Sequence, residues 1–203
     1  MSAQPQPSLT PEQYLEIERA AEFRNEYYNG HVYAMSGGSA PHGYIIANWV
    51  RRLGNALDKL PCRVAGSDLR VRVSPGGLYT YPDVVVVCGE PQYADGRIDT
   101  LLNPVLIVEV LSPSTEAYDR GFKFTQYRKL ESLQEYVLVS QGEPRVEVFR
   151  RQPSGDWLLS DCAGLEATCR LDSVGCALAL AEIYDKVTFT GEVVPPERPL
   201  PDA

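Results

Sequence analysis

Long apolar runs and histidine are what this 203-residue chain has least of. Its longest uninterrupted apolar stretch, residues 176–181, is far short of the roughly 20 residues a membrane-spanning helix needs, so no transmembrane segment is expected. The opening MSAQPQPSLT has neither the positive charge nor the apolar run of a secretory signal, which places the chain in the cytoplasm by expectation. Only His31 and His42 are available to complete a zinc site. Cys62, Cys88, Cys162, Cys169 and Cys176 form no C-x-x-C pair. They read as reduced, small buried hydrophobes rather than ligands. No serine stands in a G-x-S-x-G frame, and Ser36-Gly37-Gly38-Ser39 lacks the spacing and lysine of a P-loop, so it reads as a connector. Positive charge is also in deficit: 19 Lys plus Arg against 27 Asp plus Glu, net −8, which argues against a generally basic nucleic-acid binder.

What is present suits an ordinary globular protein: 44% hydrophobic and 23% charged residues are too apolar and too weakly charged for a disordered chain. The expected organisation is a flexible N-terminus over 1–10, one domain over 11–194 and a Pro-rich tail over 195–203. Thr10-Pro11-Glu12-Gln13 is a capping box that starts a helix running to about residue 22. Asn29-Gly30 marks a turn before a short strand at 31–35, and a second helix covers about 40–60. The alternation at 69–73 predicts a strand with Arg70 and Arg72 on a wet face. Residues 81–87 and 104–111 have the near-continuous β-branched character of strands covered on both faces. A helix over about 116–130, strands at 135–140, 145–151 and 157–161, and a short helix at 180–184 complete the pattern.

Two carboxylates interrupt the buried strands: Asp83 just before four valines, and Glu109 between Val108 and Val110. An ionised carboxylate buried without a partner is costly, so something should compensate each. For either acid alone, an arginine partner or a strand end is a sufficient account. Two of them on adjacent strands point further, because paired strands would let both converge on one hard divalent cation. Mg²⁺ suits that chemistry, with Mn²⁺ as a second possibility: it takes one or two carboxylates plus waters and phosphate oxygens, and it can activate water against a phosphodiester. Asp119, Lys123 and Tyr127 follow at four-residue steps on one helix face. Lys123 is either one half of a plain Asp119–Lys123 helix pair, worth about 0.2–0.5 kcal/mol, or the cation of the site.

Pro82-Asp83, then Val108-Glu109-Val110-Leu111-Ser112-Pro113-Ser114-Thr115, then Asp119, Lys123 and Tyr127, resemble the Uma-type bacterial restriction endonuclease family of the PD-(D/E)XK nuclease superfamily. The resemblance implies an α/β fold with a restriction-endonuclease-like core, a mixed central β-sheet flanked by helices. It implies a metal-dependent endodeoxyribonuclease that hydrolyses DNA by a metal-activated water, acting as a homodimer. Asp83 and Glu109 match the metal-binding acids, and Glu26, near the end of the first helical region, matches the extra acid. The superfamily's lysine, two residues after the second acid, is replaced here by Leu111. Lys123 supplies that cation from the helix, or the protein is a weakened or inactive nuclease fold serving as a binding or assembly module. The expected catalytic set is therefore Asp83, Glu109, Lys123 and Glu26.

The acidity is unevenly distributed. Residues 1–30 carry 2 basic and 5 acidic side chains, 31–151 carry 14 and 13, and 152–203 carry 3 and 9. The central segment holds Arg51, Arg52, Arg70, Arg72, Arg120, Lys123, Arg128 and Lys129, which predicts a local phosphate-tracking surface with weak, salt-sensitive binding.

Overall fold

The computed structural model describes residues 8–35 and 37–189. The expected tail lies outside these residues, as do residues 1–7 of the expected N-terminal segment and Ser36 of the connector. Helix α1 (Pro11–Ala20) starts at the capping box: the Gln13 N–H donates to Thr10 Oγ1 and the Thr10 N–H to Gln13 Oε1. It buries Tyr14 and Leu15 against Tyr27 and Tyr79 and stops at Ala20. Strands β1 (Asn25–Tyr28) and β2 (His31–Ala34) form a hairpin whose turn residues, Asn29 and Gly30, both have positive φ, the type that matches strand twist. Glu26, expected near the end of the first helical region, thus sits on strand β1 opposite Tyr33.

Helix α2 (Ala40–Leu57) is capped by Ser39, which accepts the His42 N–H, and turns Ile45, Trp49, Leu53 and Leu57 inward. Strand β3 (Cys62–Gly66) was not anticipated, and neither was its covalent link: Cys62 lies directly opposite Cys88 of β6 (Val84–Cys88), and the two form a disulfide. Reduced, separate thiols were expected; the register brings together two cysteines 26 residues apart, a contact that spacing does not reveal. Strand β4 (Arg70–Arg72) follows β3, but Arg70 is buried, not wet. Its guanidinium donates to Thr100 Oγ1 and Tyr81 Oη and lies 3.4 Å from Asp99. Strands β5 (Tyr79–Thr80), β7 (Thr100–Leu101) and β8 (Leu106–Leu111) complete the first half.

The predicted helix after β8 is interrupted. Helix α3 (Glu116–Tyr118) passes into a π-helical turn at Asp119–Lys123 and then into α4 (Phe124–Tyr127). Strand β9 (Glu135–Ser140) falls where predicted, and β10 (Arg145–Arg151) pairs with β11 (Trp157–Ala163) across a turn at Pro153-Ser154-Gly155. A further hairpin, β12 (Thr168–Leu171) with β13 (Cys176–Ala179), leads into α5 (Leu180–Ile183). Its four-residue strands escaped the sequence reading because one of them, Cys-Ala-Leu-Ala, lacks β-branched side chains.

The architecture is α/β with a mixed six-stranded sheet, ordered β11-β10-β9-β8-β6-β3, in which β8 and β9 are parallel. One face packs on α2, α5 and the β12–β13 hairpin through Val84, Val86, Val108 and Val110. On the other face, Val85, Ile107 and Leu111 pack with Val71 and Leu101 of the five-stranded sheet, ordered β2-β1-β5-β4-β7, and with Tyr127. Central strands covered on both sides explain the apolar runs from which the carboxylates stood out.

Candidate active site

The site forms where β6 and β8 lie antiparallel, Val84 opposite Val108. This register sets Asp83 beside Glu109, and each acid holds the other's strand. The Val110 N–H donates to Asp83 Oδ2 at 2.8 Å, and the Asp83 N–H approaches Glu109 Oε2 at 3.4 Å. Both acids line one cleft of about 280 Å³ at the end of the strands, with Lys123, Asp119 and His42.

Lys123 is the hub. Its Nζ lies 3.1 Å from Glu109 Oε1, 3.3 Å from Asp119 Oδ1 and 3.4 Å from Glu26 Oε1, so all four expected residues belong to one cluster or its immediate edge. Tyr127 donates from its hydroxyl to Glu109 Oε1 at 2.8 Å. Glu26 accepts from Tyr118 at 3.0 Å and from the Thr80 hydroxyl. The π-helical turn lets Asp119 and Lys123 both reach the strand end; such turns often mark functional segments. Leu111 projects on the same sheet face as Glu109, two residues away, and packs into the apolar cluster. The strand position at which the resemblance implies a lysine is thus occupied by core.

Charge in the cleft is unbalanced. Burial works against the Lys123 charge, but Glu109, Glu26 and Asp119 outweigh it and hold the ammonium well above its ordinary range. Burial raises the Glu109 carboxyl, Lys123 lowers it, and the Asp119 and Asp83 charges push it up again, with a raised net result. Asp119 is raised for the same first reason, burial. The two ends of the Lys123–Glu109 contact respond unequally because one lysine serves three carboxylates. Lys123 is therefore cationic, and the acids compete for it.

Among the described residues, no three His, Cys, Asp or Glu side chains stand close enough to enclose a metal ion by themselves. The donor set nevertheless fits Mg²⁺, which takes one or two carboxylates and completes its shell with water and substrate oxygens. Buried Asp119 supports the fit, since its Oδ1 has no hydrogen bond, only the ion-pair distance to Lys123. Several carboxylates sharing one lysine, and a buried carboxylate oxygen without a hydrogen bond, are what a hard cation relieves.

His42, outside the expected catalytic set, is drawn into the cleft: its Nε2 lies 3.3 Å from Asp83 Oδ2. Burial opposes its charge, but Asp83 outweighs burial and raises its pKa. No local signal tied this first-turn residue of α2 to a strand beyond Pro82. The predicted phosphate-tracking surface is largely spent on internal pairs. Arg51 pairs with Asp185, Arg52 with Glu182 and Arg120 with Glu116, while Arg70 and Lys123 are buried.

Comparison with known proteins agrees with this architecture. A crystal structure titled as a putative nuclease belonging to DUF820 from Anabaena variabilis superposes with a TM-score of 0.70 at 21% identity, covering 87% of this chain and 97% of that one. Two uncharacterized proteins of Synechocystis sp. are 38% and 35% identical, over 91% and 78% of this chain and 96% and 90% of their own lengths. The family model described as Uma2, "Putative restriction endonuclease", matches residues 11–181. With that match spanning most of its length, the chain belongs to the Uma2 family.

Proposed function

We propose that the protein is a metal-dependent endodeoxyribonuclease whose cation has moved from strand β8 to the helical segment after it. The observation that carries this reading is Lys123 Nζ at 3.1 Å from Glu109 Oε1, in the cleft that Asp83 also lines, while Leu111 is buried in the core. Asp83 and Glu109 would hold a Mg²⁺ ion, with Mn²⁺ as a substitute, and Asp119 is near enough to the same cleft to assist. When bound, such an ion neutralises phosphate charge and acidifies water. The chain's own part is positioning. Tyr127 and the Asp83 N–H fix the Glu109 carboxylate, and the Val110 N–H fixes Asp83. Glu26 and Asp119 hold Lys123, whose charge can orient an attacking water or stabilise negative charge developing on the phosphodiester. A homodimer in the cytoplasm is part of the same proposal, and the solution mass checks the dimer.

The test is incubation of plasmid and single-stranded DNA with Mg²⁺, Mn²⁺ or EDTA, beside Asp83→Ala and Glu109→Ala. Metal-dependent cleavage lost in both variants is the expected result. Cleavage that survives both substitutions refutes the site, and absence of both metal binding and cleavage favours a non-cleaving binding module.

A further inference from the structure

A second cavity, of about 620 Å³, opens beside the cleft and is walled by aromatic rings. Tyr118 and Phe122 lie nearly parallel, 16° apart with centroids at 5.3 Å, and Tyr28 meets Phe122 edge-on at 4.8 Å. Tyr33, from edge strand β2, lines the same cavity and is 51% exposed. Met35, Thr115 and Lys123 line both this cavity and the cleft, so the two spaces adjoin. These rings have no part in holding the acids, apart from the Tyr118 hydroxyl on Glu26.

We propose that this cavity receives an unpaired nucleobase next to the phosphodiester in the cleft, which makes the substrate DNA that is single-stranded at the cut. The proposal rests on the nuclease reading only for what occupies the cleft. Within a paired duplex both faces of a base are already covered by stacking, so a flat aromatic wall has nothing to offer it. An unpaired base presents a free face, and stacking on aromatic side chains is tolerant of sequence. Charge argues the same way. The chain carries a net charge of −8, and Arg51, Arg52 and Arg120 are engaged in internal pairs, which reduces what is left to follow the two backbones of a duplex. Stacking can supply affinity that phosphate contacts here do not. Because Lys123 belongs to both spaces, a base seated among the rings would bring its adjoining phosphate to the acids.

The experiment uses the full chain with Ca²⁺ in place of Mg²⁺. A single-stranded oligodeoxynucleotide carrying 2-aminopurine, whose fluorescence falls on stacking, is titrated beside the same sequence as a duplex. The wild type should quench the single strand and bind it at least about tenfold more tightly than the duplex. Tyr33→Ala should weaken single-strand binding by about ten- to a hundredfold and remove the quench, while Tyr33→Trp retains both. An unchanged thermal midpoint confirms that the alanine variant is folded, as expected for a half-exposed edge-strand residue. Equal binding of duplex and single strand, or a quench that survives Tyr33→Ala, overturns the inference. Cleavage of plasmid under Mg²⁺, lost in Asp83→Ala, separates the two readings: with it, a failed quench rejects the cavity alone. Tyr33-dependent stacking without any cleavage supports the cavity and rejects the nuclease.

Discussion

Replacing Lys123 by methionine removes the one cation that three buried acids share, at little change in side-chain volume. The ammonium lies 3.1–3.4 Å from Glu109, Asp119 and Glu26 and its residue is 6% exposed. At an effective dielectric of about 20, each contact is worth roughly 5 kcal/mol of Coulomb attraction before desolvation is subtracted. Burying the charges offsets much of that, but deleting only the cation leaves the acids uncompensated. The expected loss is about 3–5 kcal/mol. For a domain of this size the thermal midpoint should fall by roughly 6–20 °C. The deficit should depend on pH with a definite sign. Glu109 and Asp119 already titrate above their ordinary range, and without Lys123 they rise further. Groups raised on folding stabilise at low pH and lose that contribution as pH rises through the folded value, so the Glu109 part of the penalty should grow as pH rises through about 8, where the wild-type carboxyl ionises beside Lys123, and be smaller well below it. Urea unfolding in EDTA measures it. Adding Glu109→Gln to Lys123→Met should recover about 1–3 kcal/mol relative to additivity, and Mg²⁺ should raise the midpoint of Lys123→Met more than that of wild type. A loss below about 1 kcal/mol, or strict additivity, would refute the charge-hub argument.

Elsewhere in the chain, Asp99 is held low, to about 2, first by its hydrogen bond to Arg19 and then by Thr100 and Arg70 against the opposing effect of burial. A depressed carboxylate stabilises above its unfolded value and loses that contribution as pH falls. Its side chain is 36% exposed, so the effect is about 1 kcal/mol. Asp99→Asn should be less stable than wild type above pH ~4, and the gap should close toward pH ~2; a gap of constant size across acid titration contradicts this. The Cys62–Cys88 disulfide closes a 26-residue separation and should contribute about 3–4 kcal/mol on loop-entropy grounds, read as the shift in urea midpoint when dithiothreitol is added, with no shift in Cys62→Ser/Cys88→Ser. Glu135, fully buried, accepts from Arg150 Nε at 2.7 Å and from the N–H groups of Asp172 and Ser173 at 3.1 Å. Glu135→Ala should cost about 3–5 kcal/mol and loosen the β12–β13 hairpin, visible as faster amide exchange at Cys169 and Leu171; exchange unchanged from wild type would contradict its role there.

What could be read from the sequence divides along a physical line. Long, double-covered strands announce themselves by composition, so β6, β8 and β9 and the two acids within or beside them were legible. The Thr10 capping box and the Asn29-Gly30 turn were legible because their chemistry is local. Contacts across the fold were not. Cys62 and Cys88, His42 and Asp83, and the burial of Arg70 beneath Tyr81 each depend on register or packing between distant segments. Glu26 was named for its match to the family and given the wrong local structure, since a helix that ends at Ala20 leaves it on a strand. Asp119, Lys123 and Tyr127 were placed on one face by helical spacing, and they do converge, although through a π-helical turn that no propensity at Asp-Arg-Gly-Phe-Lys announces.

A cation on the helical segment in place of the strand, as proposed, changes what assembles the site. A lysine at position 111 would be held by the sheet alone, but it would leave a charged residue where Leu111 now contributes roughly 2 kcal/mol of apolar burial. Lys123 instead arrives only when residues 116–127 dock, and docking rests on Phe124 and Tyr127 against Tyr136. The Tyr136 hydroxyl also donates to the Asp119 carbonyl at 3.0 Å, inside the π-helical turn itself. The acids of β6 and β8 are therefore in place with the sheet, whereas the cation is conditional on an aromatic interface on the same side as the ring-walled cavity. A ligand filling that cavity would pack on Tyr118 and Phe122 of this segment and would favour the arrangement in which Lys123 faces the acids. On the proposed reading, leucine at position 111 is compatible with a working site, because the charge it cannot carry would be delivered by the element that also lines the neighbouring cavity.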